Sequence, residues 1–130
     1  IKMKTSYSRV ELYNIAGILS DGLGGIFLIL LASFIYPLIG FSFSGVYEYV
    51  VFAFVSMTGI IHYMALKNPS SQVVLMNLTV IIRVFASSVF FALFANGKLG
   101  FEALAICLFD LSFVFVYLIY FYQKEFLCKD

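Results

Sequence analysis

Four long apolar runs constrain this chain more than anything else in it. The hydrocarbon core of a bilayer needs about 20 apolar residues per crossing helix, and four segments reach that length. They are Ile15 to Ile39, interrupted by Asp21; Val46 to Leu66, with Glu48 near its start; Val73 to Ala95, containing Arg83; and Phe101 to Gln123, containing Asp110. Helix is the expected conformation, because lipid offers no partner to an open strand edge. The breaks between runs carry turn residues: Pro37 with Gly40 to Gly45, Lys67-Asn68-Pro69-Ser70-Ser71, and Asn96-Gly97-Lys98-Leu99-Gly100. Only 12% of the residues are Asp, Glu, Lys or Arg, against about 25% in soluble domains, too few to solvate a globular surface. The expected fold is an all-α membrane protein, a single domain over residues 1–130, built as an antiparallel bundle of four transmembrane helices. Tyr7 to Asn14 mix Arg9 and Glu11 with Val10, Leu12 and Tyr13. That stretch fits either an interfacial segment or an inward extension of the first helix.

Basic residues set the expected orientation. With four spans, both termini share a side with the middle loop. That side holds Lys2, Lys4, Arg9, Lys67, Lys124 and Lys129, the other holds only Lys98, and Arg83 lies within a span. The imbalance predicts cytoplasmic termini. Glu48 and Glu102 then begin the second and fourth helices from the outer side. The helix dipole favours an anion there, so both are expected to cap rather than to catalyse. Tyr7, Tyr13, Tyr36, Tyr47, Tyr49, Tyr63, Tyr120 and Tyr122 fall near the interfaces. They are expected to form an aromatic belt, with a cofactor cage as the sharper alternative.

Each span also carries one ionisable residue: Asp21, His62, Arg83 and Asp110. Such groups cost about 2.5–3.5 kcal/mol each at a helix centre on insertion scales, so they are expected to face protein and find partners. Counted from Lys98 in the third turn, Arg83 lies 15 residues back and Asp110 12 residues on. At 1.5 Å per residue their depths differ by about 4–5 Å, which an Arg side chain spans. An Arg83–Asp110 ion pair between neighbouring antiparallel helices follows. Asp21 and His62 stand at nearly equal depth around the first turn. Asp21 is placed either to hold His62 or to reach Arg83 from the inner side.

The neighbours of these residues are small or polar and share their faces: Gly17, Gly24 and Gly25 beside Asp21, Thr58, Gly59 and Ala65 beside His62, Thr79, Ala86 and Ser87 beside Arg83. On the last helix the face is Ala103, Cys107, Asp110, Phe113 and Tyr117. A closed four-helix bundle with a polar interior would show this pattern. The four ionisable residues are read in two ways: as structural pairs that fix helix register, or as a binding or proton-handling site. Taken together they are close to self-neutralising.

Several function classes lack support. A net charge of +1 gives no field for nucleic acid. There is no phosphate-binding loop, dinucleotide fingerprint or HExxH, and one histidine cannot supply multi-His metal or haem ligation within one chain. Gly22-Leu23-Gly24-Gly25 lies inside a span and reads as helix packing. Cys107 and Cys128 on one helix would stand roughly 30 Å apart, beyond disulfide reach. No cofactor and no metal is expected.

The stretch Met57-Thr58-Gly59-Ile60-Ile61-His62-Tyr63-Met64-Ala65-Leu66-Lys67-Asn68-Pro69 ends a span in a short basic, Pro-containing loop. A span with a central Arg83, then Asn96-Gly97, then a span with a central Asp110 follow. This layout, over about the last 75 residues, resembles small four-helix bacterial membrane proteins of the DoxX-like and uncharacterised groups. The resemblance implies a bacterial inner (cytoplasmic) membrane protein, in some cases an accessory subunit of respiratory or oxidase assemblies, with Arg83 and Asp110 as a carried-over pair. A second resemblance, to four-helix sterol-isomerase-like proteins, implies intramembrane His and acidic residues acting on a lipophilic substrate. Here only His62 is present, and the acids lie elsewhere.

The leading expectation is a non-enzymatic subunit or interaction protein of a larger membrane complex, in contact with lipid and with other membrane subunits or copies of itself. The alternatives are a lipophilic-ligand binder or isomerase-like protein with Asp21, His62, Arg83 and Asp110 lining a cavity, and a small oligomeric proton- or ion-coupled transporter.

Overall fold

A computed structural model describes residues 8–122, and of residue 122 the backbone alone. All regular structure among these residues is helical. Helix α1 runs over Arg9–Leu38 and contains a π-helical stretch, Ile18–Leu23. Helix α2 is Tyr47–Lys67, α3 is Gln72–Ala95 after a single 3₁₀ turn at Pro69–Ser71, and α4 is Phe101–Tyr122. All four are long and apolar enough to cross a membrane.

Local chemistry sets the ends of each helix. Ser8-Arg9-Val10-Glu11 forms a capping box: Ser8 Oγ accepts from the Glu11 N–H, and the Glu11 carboxylate accepts from the Ser8 N–H at 2.7 Å. Two orphan donors are satisfied at once, which starts α1 at Arg9. The residues before Ile15 therefore extend the first helix, and Val10, Tyr13 and Asn14 are buried. At its other end, Phe41 N–H reaches Tyr36 O and Gly40 N–H reaches Pro37 O, with Gly40 at φ +77°. Helix α3 ends the same way, through Lys98 to Leu93 and Gly97 to Phe94, with Gly97 at φ +67°. Both are Schellman caps, and both need a residue that tolerates the left-handed region. Glu48 accepts from Ser44 N–H, Gly45 N–H and Ser44 Oγ, and Glu102 accepts from Gly100 N–H. Both acids thus organise the entry to their helices. Between α2 and α3, the Gln72 side chain donates to Ala65 O, and the Asn68 side chain adds a second donor to Met64 O beside the Asn68 N–H.

Packing in the first hairpin rests on missing side chains. A Cβ on Gly59 would collide with the Gly22 backbone, and one on Gly17 would collide with the His62 ring. One on Gly25 would meet the Ser56 side chain and Phe52 O. In lipid, close backbone approach of this kind supplies the van der Waals contact that holds helices together. Gly24, expected on the same face, is half-buried and would meet only Leu19 O. The reason is the π-helical stretch. Its wider turn brings Gly17, Asp21 and Gly25 inward at a spacing of four and leaves Gly24 beside the interface.

Successive helices pack α1 on α2, α2 on α3 and α3 on α4. Among the described residues, α1 meets α4 only through its first segment, Arg9–Gly17. The closed bundle expected from the polar stripes is therefore open along most of the α1–α4 side. A second correction concerns the tyrosines. Tyr13 is buried against His62, Phe113, Tyr117 and Tyr120, and Tyr36 is buried against Phe41, Phe43 and Phe52. Neither belongs to a surface belt, because each ring is buried among other rings. Tyr49 and Tyr63 are exposed, Tyr47 and Tyr120 are half-buried, and Tyr7 and the Tyr122 side chain lie outside the described residues.

Candidate functional site

The four ionisable residues converge on Arg83, at the middle of α3. The guanidinium Nη1 donates to Asp110 Oδ1 at 2.5 Å, and Nη2 donates to Asp21 Oδ2. The same Nη2 lies 3.4 Å from His62 Nε2. The Phe113 ring covers the group, 4.1 Å from Cζ to ring centroid, a cation–π contact. Each of the four helices supplies one member. The Arg83–Asp110 pair follows the depth arithmetic of the second hairpin. Of the two placements open to Asp21, the bond goes to Arg83, and His62 Nε2 stands 4.0 Å from Asp21 Oδ2.

The partner that holds His62 is Asn14, which the sequence reading did not single out. Asn14 Nδ2 donates to Val10 O at 3.0 Å and lies 3.5 Å from Met76 Sδ. That turns Oδ1 toward His62 Nδ1, 3.0 Å away. An acceptor there puts the ring proton on Nδ1. Nε2 then presents its lone pair to the Arg83 donor. Ser20 Oγ adds a donor to Asp21 Oδ1 at 3.2 Å. A signal for Asn14 was present: it stands three residues before Gly17 and seven before Asp21, on the stripe already drawn through them.

Burial within the cluster is uneven. The side chains of Arg83, Asp21 and His62 are at most 2% exposed, whereas that of Asp110 is 14% exposed. Asp110 Oδ2 makes no hydrogen bond among the described residues. Among the described residues, buried Arg83 Nε has no hydrogen-bond partner.

Asp110 opens onto a cavity of about 670 Å³ between α2 and α3. Its polar lining consists of Asp21, Thr58, Arg83 and Asp110, and the remaining lining side chains are apolar. Thr58 spends its hydroxyl on Phe54 O, within its own helix. The lining residues of α2 span Val51 to Ile61 and those of α3 span Ile82 to Phe90. The cavity therefore occupies the half of the molecule on the side of the Gly45 and Gly97 turns, with the charged cluster as its floor. Phe54, Met57 and Phe85 line it and are themselves exposed, so it opens laterally. Among the described residues, no group of three or more His, Cys, Asp or Glu side chains could hold a metal ion. The guanidinium takes the position between the two carboxylates. Cys107 is a buried free thiol, and its carbonyl accepts from Ser87 Oγ. Cys128 lies outside the described residues.

Comparison of the chain with protein-family models, with curated proteins and with solved structures found no match in any of the three.

Proposed function

We propose that this is a four-span membrane protein that binds a lipophilic small molecule in the cavity between α2 and α3, with the Arg83 cluster fixing its polar end. The observation that carries the reading is the coincidence of an apolar cavity of about 670 Å³ with a floor of charged side chains. Ligand sites combine mostly apolar walls with a few placed polar groups in this way. A purely structural set of ion pairs would need no void beside it. The exposed apolar side chains on all four helices, among them Leu30, Phe34, Phe85 and Phe115, support insertion in lipid. The basic-residue imbalance supports cytoplasmic termini, and the DoxX-like layout fits a bacterial inner membrane. In this orientation the cavity faces the outer half of the bilayer.

The test is native mass spectrometry of protein purified in mild detergent, beside the cavity-filling variant Ala86→Phe. A lipophilic molecule retained by the wild type and lost from Ala86→Phe is the expected result. Equal retention by both, or none by either, would sink the proposal.

A second reading, a subunit of a larger membrane complex, is favoured by one observation. Phe34, Phe101 and Phe115 are each at least 65% exposed, on faces away from the cavity. The same purification would then recover a stoichiometric partner.

A further inference from the structure

The formal charges around the cavity do not cancel. Asp21 and Asp110 bring two carboxylates to a single guanidinium. His62 offers no second positive charge, because Asn14 holds its proton on Nδ1 and Arg83 faces the Nε2 lone pair. The surplus falls at the open side of the cluster. Asp110 is its most exposed member, one of its oxygens already serves Arg83, and the other has no hydrogen-bond partner among the described residues. The guanidinium is almost wholly buried against Phe113, each terminal nitrogen already serves a carboxylate, and only its buried Nε–H lacks a partner among the described residues, so its one charge is already shared between two acids.

Other charges toward the same end of the molecule keep this sign. Glu48 and Glu102 are buried where α2 and α4 begin, and Lys98 is the one basic residue of the Asn96–Gly100 turn, with its side chain exposed. The cavity wall adds Phe54, Phe85 and Phe90, whose ring faces attract cations. An acid without a full counter-charge, reached through an aromatic-lined apolar cleft, selects for ligand charge as well as ligand size.

We infer that the occupant of the cavity is a lipophilic cation, an apolar body bearing one positive charge, which pairs with Asp110. The inference rests on the cavity being a binding site, and it adds the sign of the ligand.

The test uses two probes of the same shape and opposite charge, tetraphenylphosphonium and tetraphenylborate. Binding to the full chain in a nonionic detergent is measured by equilibrium dialysis, with empty micelles subtracted. The expected result is tighter binding of the cation by about tenfold or more, equivalent to about 1.4 kcal/mol. Asp110→Asn should abolish that preference, and Ala86→Phe should weaken the cation further. Equal binding of the two probes, or preference for the anion, would overturn the cation inference and leave the cavity reading standing. Failure of both probes, together with no ligand in the native mass spectrum, would remove both. If Asp110→Asn does not fold, Ala86→Phe decides the matter: a cation preference that survives filling of the cavity places the probe elsewhere and overturns the inference.

Discussion

At the scale of single residues, the two acids that hold Arg83 are not equivalent. Asp21 is as buried as the guanidinium it serves, while Asp110 is open to the cavity. Removing Asp21 leaves Arg83 balanced by Asp110 but takes the carboxylate from the buried Nη2, and a buried donor left without its acceptor costs about 1–3 kcal/mol. Asp21→Ala is expected to lose stability in that range. Asp110→Asn should lose less, because the amide keeps an acceptor for Nη1 and the site is partly open. Unfolding by a denaturing detergent, followed by circular dichroism, checks the order, and a more damaging Asp110→Asn would contradict the assigned geometry. The Arg83–Asp110 pair was legible in the sequence because depth along a hairpin is one-dimensional arithmetic. Asn14 was harder to find. An amide carries no formal charge, so a search for ionisable groups passes over it even when it fixes the tautomer of the only histidine.

At the scale of the element, the first helix departs most from its sequence pattern. Its apolar run and small residues were readable, but the π-helical stretch at Ile18–Leu23 has no signature in hydropathy. Two substitutions separate the glycines that matter. Gly59→Ala drives a methyl into the Gly22 backbone and should cost about 1–3 kcal/mol through overpacking, with a loss of folded yield. Gly24→Ala meets only Leu19 O at 3.4 Å. It should be neutral, or stabilising by up to about 1 kcal/mol through helix propensity. Thermal unfolding of the two variants side by side measures the contrast, and equal effects would remove the close-packing account of the first hairpin.

At the scale of the whole molecule, the number of helices, their approximate limits and their antiparallel sequence follow from the apolar runs and the turns between them. The open α1–α4 side and the cavity do not, because lateral splay and crossing angle depend on side-chain volumes at contacts that no periodicity encodes. Orientation can be tested directly. In a Cys128→Ser background, a membrane-impermeant maleimide applied to intact cells should label Ser42→Cys, and should label Ser70→Cys only after permeabilisation. The reverse pattern would invert the topology and move the cavity to the inner half. The order of synthesis gives the Arg83 cluster a history. Chains emerge from the N-terminus, so Asp21 is made first, then His62, then Arg83, and Asp110 last. A three-helix intermediate would already hold Arg83 against Asp21 as a balanced pair. The final helix then supplies the surplus carboxylate, so the charge asymmetry of the cavity would be acquired only when the last span is complete.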